Sequence, residues 1–112
     1  MDVGFRNAQL RKLCSNTTLM RRRFGATGAA KLQRRLAELA AATCIADLFL
    51  LPQARCHQLK AERDEMFSVN LDGANRLIFE VADEPTPRRP DGGIDTDQVK
   101  RVAVVEITDT HR

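Results

Sequence analysis

The chain has 112 residues, a length that suits one domain built around one modest core. Hydrophobic residues make up 43% of it and charged residues 29%, a composition typical of folded proteins and not of disordered ones. No apolar run reaches the length of a membrane span, and the first residues lack the apolar core of a signal peptide. We therefore expect a cytoplasmic protein that does not bind membranes.

The cysteines argue against a disulfide framework and against a zinc site. Cys14, Cys44 and Cys56 are odd in number and form no Cys-x-x-Cys pair. We expect three reduced thiols, no metal and no cofactor.

Basic residues concentrate in the first half of the chain. Residues 1–60 contain eleven Lys and Arg against three Asp and Glu, whereas residues 61–112 contain seven against twelve. A basic surface on a small protein favours an anionic partner such as RNA, the ribosome or an acidic protein. The alternative is a solvated helix face that binds nothing.

The N-terminal half has the pattern of a short strand followed by helices. Residues 3–6 favour a strand, and Asn7 is suited to cap a helix with Leu10 and Leu13 on one side. Gly25 predicts a break before a second helix.

The second helix is predicted over about residues 26–43 from its helical spacing. Its apolar stripe is expected to face the core and consists of Ala29, Leu32, Leu36, Leu39 and Ala40. The opposite side carries mostly charged residues, namely Lys31, Arg34, Arg35 and Glu38.

The second half has the pattern of strands. Four runs favour strands, at residues 56–60, 66–71, 76–81 and 99–108. Asp72-Gly73 predicts a tight hairpin between the second and third runs. The segment 83–98 is polar and rich in Pro and Gly, which predicts a long, flexible loop. The order of elements predicts one α+β domain over residues 1–112, with helices on one face of an antiparallel sheet.

The sheet region also carries the groups needed to cleave RNA without a metal. Such cleavage uses the substrate's 2′-hydroxyl as nucleophile and needs a base, an acid and cations around the phosphate. His57 and His111 are the two histidines, while Arg76 and Lys60 lie in the strand runs. Regular alternation would place His57 and Lys60 on opposite faces, so a shared site requires a strand end, twist or bulge between them.

Several segments, taken in order, resemble a known family over nearly the whole chain. These segments are Phe5-Arg6-Asn7, Leu59-Lys60, Phe67-Ser68-Val69-Asn70, Asn75-Arg76-Leu77-Ile78-Phe79 and the terminal Asp109-Thr110-His111. The set resembles HigB-like toxins, the plasmid-maintenance killer branch of the RelE/ParE superfamily. That resemblance implies a small twisted antiparallel sheet covered by N-terminal helices. It also implies that the protein cleaves mRNA in the ribosomal A site. A helix-turn-helix antitoxin is implied to neutralise it, and the protein would contact DNA only indirectly, through the complex with that antitoxin.

The resemblance also implies roles for individual residues. His57 matches the catalytic histidine, Lys60 its basic partner, Arg76 the phosphate-binding arginine, and Asp109 and His111 the C-terminal pair. The cations expected to contact RNA phosphates are Arg21, Arg22, Arg23, Lys31, Arg34, Arg35 and Arg63. One departure is Thr110, which stands where the family commonly has a tyrosine that stacks on a base or orients the phosphate.

Two alternatives to the nuclease remain open from sequence. A catalytically weak protein of this fold would act through antitoxin binding and operon regulation, or like ParE members on a topoisomerase. A plain RNA-binding domain is less compatible, because the phenylalanines alternate as core residues and provide no stacking platform.

Overall fold

One mixed sheet organises the molecule, and the computed structural model describes residues 1–109 as an α+β fold. The sheet has five strands in the spatial order β1-β5-β4-β3-β2. These strands are β1 (Asp2–Phe5), β2 (His57–Gln58), β3 (Met66–Asn70), β4 (Asn75–Val81) and β5 (Arg101–Asp109). Every predicted strand is therefore present, although β2 is shorter than expected.

The prediction of a wholly antiparallel sheet is wrong at one edge. Strand β1 pairs in parallel with β5, while the other neighbouring strands pair antiparallel. A parallel pair needs a long crossover rather than a hairpin, and the chain between β1 and β5 includes all the helices. Local sequence patterns do not encode this long-range choice.

Three helices precede the hairpin strands: α1 (Ala8–Cys14), α2 (Thr17–Ala41) and the short α3 (Ile45–Leu48). The predicted cap is confirmed, because the Asn7 side chain accepts the amide N–H of Leu10 at 2.9 Å. Helix α3 was not predicted, since one helical turn carries too little periodicity to detect.

Gly25 interrupts α2 as predicted. Its φ of 75° lies in the left-handed region, which a glycine adopts without steric cost. Beyond this break, Ala29, Leu32 and Leu39 are buried against the sheet. Ala40, which the stripe also included, is exposed.

The core lies between α2 and one face of the sheet. Phe67 and Phe79 face each other across β3 and β4, with ring centroids 5.6 Å apart, and both are fully buried. Leu77 and Val104 extend this face and belong to the same apolar cluster as Leu32 of α2. The other face, which we call the open face, carries the alternate residues of the same strands.

Two connections join neighbouring strands of the sheet, a hairpin between β3 and β4 and a long loop between β4 and β5. The predicted hairpin at Asp72-Gly73 is confirmed, since it joins antiparallel β3 and β4, and Gly73 has a φ of 58°. The loop 83–98 is anchored at its middle, because Ile94 is buried in the core and pairs with Arg88 in an isolated bridge. The flexibility of the rest of this loop stays a prediction.

Within residues 1–109 no helix has both the length and the apolar character needed to cross a membrane.

Two thiols are shielded from ionisation by their burial. Desolvation raises the pKa of Cys14 to about 11 and that of Cys56 to about 12. The two thiols therefore lose their protons at a lower pH in the unfolded chain than in the folded one. The stability that the protonated thiols contribute to the folded state is complete below the ordinary thiol pKa. It declines as the pH rises from about 9 towards 11 to 12.

We expect the free energy of unfolding to fall between pH about 8 and pH about 10.5, because the two thiols ionise first in the unfolded chain. The measurement is urea unfolding at both pH values. A variant with Cys14→Ala and Cys56→Ala removes this contribution while leaving the titrating lysines in place. Equal pH dependence in wild type and variant would contradict the assignment.

Candidate functional site

A row of four residues crosses the open face from the β2 edge to β5. His57 is paired with Ser68, Ser68 with Ile78, and Ile78 with Glu106. Residues directly opposite each other in neighbouring strands have side chains on the same face. His57 and Glu106 therefore lie at the two ends of one row, and the sheet edge presents His57 to solvent.

A backbone contact fixes which nitrogen of His57 carries the proton when the ring is neutral. Nδ1 lies 3.0 Å from the Arg55 carbonyl oxygen, and a carbonyl only accepts hydrogen bonds. Nδ1 therefore carries the proton in this contact, and in the neutral ring Nε2 holds the free lone pair. An exposed imidazole with this tautomer is suited to take a proton from a substrate.

Arg76 belongs to the next row of the same face. It is paired with Asn70 on one side and with Thr108 on the other. Strand spacings of about 4.8 Å and rises of about 3.4 Å per residue separate the Cα atoms of His57 and Arg76 by roughly 12 Å. The half-buried Arg76 donates from Nη1 to the carbonyls of Gly73 and Asn75, at 3.0 and 2.8 Å. His57 and Arg76 therefore share one face of the sheet, with Arg76 nearer the hairpin that joins β3 to β4.

Lys60 lies just beyond the end of the short strand β2. Leu59 still donates to the Met66 carbonyl at 2.8 Å, after which Lys60 precedes a 3₁₀ turn, Ala61–Arg63. The strand end that a shared site requires is therefore present between His57 and Lys60. A shallow pocket is lined by Leu59, Lys60, Ala61, Glu62 and Arg63.

The segment 60–65, which we call the strap, is tied to the rest of the molecule by two ion pairs. Arg63 donates to one oxygen of Glu106 from Nε at 2.9 Å and from Nη2 at 2.7 Å. Glu65 forms a two-point contact with Arg88 of the long loop. Hydrogen bonding to Arg88 holds the pKa of the Glu65 carboxyl below its usual range, so acid weakens this attachment as the carboxylate becomes protonated.

Two residues of the strap adopt backbone conformations that cost free energy, and the ion pairs of the strap offset this cost only in part. Ala61 and Glu65 adopt positive φ values of 57° and 66°, which cost about 1–2 kcal/mol each for residues with a Cβ. On the open face, Ser68 and Ile78 are 1% and 0% exposed, and the Ser68 hydroxyl has no hydrogen-bond partner among residues 1–109. The two ion pairs of the strap are exposed to solvent and screened by salt, so they offset these costs only weakly.

We expect Ser68→Ala to raise the free energy of unfolding by about 1 kcal/mol, because it removes a buried hydroxyl that makes no hydrogen bond. Urea unfolding measures this change. The opposite result, a loss of stability of similar size, would show that the hydroxyl has a partner in solution.

Asp109 does not share the face of Arg76. It is paired with Asn75 at the end of β5, one residue beyond Thr108, and therefore alternates towards the opposite face. His111 and Thr110, the other members of the predicted terminal motif, lie outside the described residues.

The predicted RNA-binding cations have different environments. Arg21, Arg22, Arg23 and Arg34 are exposed on α2, and Arg23 packs over the Phe24 ring at 5.4 Å. Lys31 is exposed but lies 3.6 Å from a carboxylate oxygen of Asp72. Arg63 is engaged by Glu106, as described above.

The assignment of Arg35 to RNA binding is wrong. Its side chain is buried, with Nε donating to the Asn70 carbonyl at 2.8 Å and Nη2 to the Gln53 carbonyl at 2.9 Å. Nη1 completes the set by donating to Glu38 at 3.0 Å. Arg35 therefore joins α2 to the end of β3 and to the connection before β2, and it cannot contact a phosphate.

Sequence reasoning missed Glu106 and the exposed pair Arg11 and Lys12. Glu106 is a single acidic residue in a strand, and nothing in the local pattern indicates that it binds Arg63. Arg11 and Lys12 lie in the last turn of α1, where cations are favourable, and they add to the basic surface of α2. The excess of positive charge in residues 1–60, which indicated the α2 cations, could also have indicated Arg11 and Lys12.

The described residues contain no group of three His, Cys, Asp or Glu side chains that could hold a metal ion. No known family model matches the chain. A search of curated proteins likewise finds no match to it.

Proposed function

We propose that this chain is the toxin of a type II toxin–antitoxin system that cleaves mRNA on the ribosome without a metal. The observation that carries the proposal is the exposed His57, held with Nε2 as its basic nitrogen on the same sheet face as Arg76. The resemblance to HigB-like toxins supports the choice of RNA as substrate, since it assigns both residues to the active site.

In the proposed reaction, His57 Nε2 takes the proton of the substrate's 2′-hydroxyl, and the resulting oxyanion attacks the adjacent phosphorus. Arg76 and Lys60 stabilise the charge that develops on the phosphate oxygens. The bond from phosphorus to the 5′-oxygen then breaks, and His111 gives that oxygen a proton. The products are a 2′,3′-cyclic phosphate and a 5′-hydroxyl end.

The exposed cations of α2 suit a partner that presents a phosphate backbone. Arg21, Arg22 and Arg34 are exposed and make no ion pair with other described residues. Contacts of this kind need only charge and are sequence-independent, as ribosomal RNA would require. A helix-turn-helix antitoxin is the partner expected to neutralise the protein.

The ends of the RNA fragments test this proposal. Purified full-length protein is added to translating ribosomes, and both termini of the cleaved mRNA are analysed. We expect a 2′,3′-cyclic phosphate and a 5′-hydroxyl, and no cleavage at a linkage whose upstream nucleotide is 2′-deoxy. Fragments with 5′-phosphates, or equal cleavage at the deoxy linkage, would contradict the mechanism because the 2′-oxygen would not be the nucleophile.

A further inference from the structure

The strap occupies the same sheet face as the proposed site. Arg63 extends from the β2 side of the sheet to Glu106 on β5, and the row between them consists of Ser68 and Ile78. These two residues are almost completely buried, although Ile78 does not belong to the main apolar cluster beneath the helices. The strap therefore covers the middle of the row whose exposed end is His57.

The bond between Arg63 and Glu106 is well formed but weakly protected from solvent. Both hydrogen bonds are short, at 2.9 and 2.7 Å, yet the two side chains are 36% and 40% exposed. Ion pairs at this exposure are weak and are screened by salt. A phosphate group presents the same kind of anionic oxygens to the guanidinium as the carboxylate does.

Two further features favour movement of the strap once the Arg63–Glu106 ion pair is exchanged, with the Glu65–Arg88 pair still attaching its far end. Ala61 and Glu65, near its two ends, are held in left-handed conformations that relax when the segment is free. The Ser68 hydroxyl beneath it makes no hydrogen bond with described residues and gains water when the strap moves. Both features lower the cost of opening.

We propose that Glu106 is a gating residue that keeps Arg63 from its ligand, and that an RNA phosphate displaces Glu106 and takes over Arg63. This inference rests on the proposed function, because it places the phosphate of the RNA substrate above the row that begins at His57. Glu106 does not touch the reacting atoms. Its effect is to set the affinity of the site for RNA.

The chain offers a matched control in Glu80. This residue also lies on the open face and forms an exposed ion pair, with Arg6 at 3.3 Å. Glu106→Gln and Glu80→Gln remove the same charge from the same face, so a general gain in RNA affinity from higher positive charge appears equally in both variants. Each variant also releases one arginine, so the comparison isolates the position of that arginine, Arg63 above the row of His57 or Arg6 beside β1.

The experiment measures two quantities on the full chain. Hydrogen–deuterium exchange reports the opening of residues 60–65, and fluorescence anisotropy reports binding of a short labelled single-stranded RNA. We expect faster exchange in Glu106→Gln, and RNA binding tighter than in Glu80→Gln by up to about fivefold, the range set by a half-exposed ion pair. Adding Arg63→Ala to Glu106→Gln is expected to abolish this gain.

Two results would overturn the inference, and they separate it from the proposed function. Equal RNA affinities in the two glutamine variants would exclude gating by Glu106 while leaving RNA binding intact. Faster exchange without RNA binding in any variant would exclude phosphate as the displacing ligand, whereas the proposed function is decided separately by the RNA ends produced on the ribosome. Unfolding curves for all variants confirm that each comparison is made on folded protein.

Discussion

Replacing Arg35 with methionine is expected to lower the free energy of unfolding by about 3 kcal/mol, the lower end of the cost of removing one partner of a buried ion pair, because Arg35 is buried and its partner Glu38 is only partly so. Methionine retains the apolar stem but leaves Glu38 without its cation. The carbonyls of Asn70 and Gln53 also lose their side-chain donor. A domain of this size has a total stability of about 5–15 kcal/mol, so the variant is expected to be marginally folded.

Arg34→Met is the matched control for this prediction. Arg34 is the preceding residue of the same helix, but it is exposed and makes no ion pair with other described residues. Its replacement is expected to change stability by no more than about 0.5 kcal/mol. Urea unfolding of both variants checks the prediction, and similar midpoints would show that the buried network around Arg35 contributes little. Glu38→Leu added to Arg35→Met should recover part of the loss, because the half-buried Glu38 carboxylate, whose other partner is Gln53 Nε2 at 3.0 Å, is then absent.

Replacing His57 with asparagine is expected to reduce ribosome-dependent mRNA cleavage by about 10²–10⁴-fold, the usual contribution of a general base. The fold should be unaffected, since His57 is exposed at the end of a two-residue edge strand. The rate of mRNA loss and an unfolding curve measure the two quantities separately.

Gln58→Ala provides the control for His57. Gln58 is the next residue of β2, equally exposed, and its side chain alternates to the other face. We expect near wild-type cleavage from this variant. An equal loss of activity in both would indicate that the edge strand matters as a whole and that His57 has no particular chemical role.

Local patterns in the sequence predicted most of the elements because each pattern has a local cause. Asn7 supplies a side-chain acceptor to a helix start, and Gly25 adopts a backbone conformation that ends a helix. The hairpin forms at Asp72-Gly73 because Gly73 adopts the left-handed φ of 58° that its turn requires, at no steric cost. The parallel pairing of β1 with β5 depends on residues about a hundred positions apart, which no local pattern reports.

The candidate site was predictable only in part. The burial of Arg35 could have been predicted from helical spacing. Arg35 lies three residues after Leu32 and four before Leu39, and both leucines are buried. Its charge led to the wrong assignment. The contact between Arg63 and Glu106 depends on how the strap folds across the sheet, and residue types alone give no sign of it.

We propose that this chain destroys mRNA only on the ribosome. The most direct measurement is mRNA integrity in a reconstituted translation reaction, with and without ribosomes, using wild type, His57→Asn and Gln58→Ala. We expect cleavage that requires ribosomes, is lost in His57→Asn and persists in Gln58→Ala. Intact mRNA under every condition, from wild-type protein shown to be folded, would contradict it and favour antitoxin-dependent regulation or action on a topoisomerase.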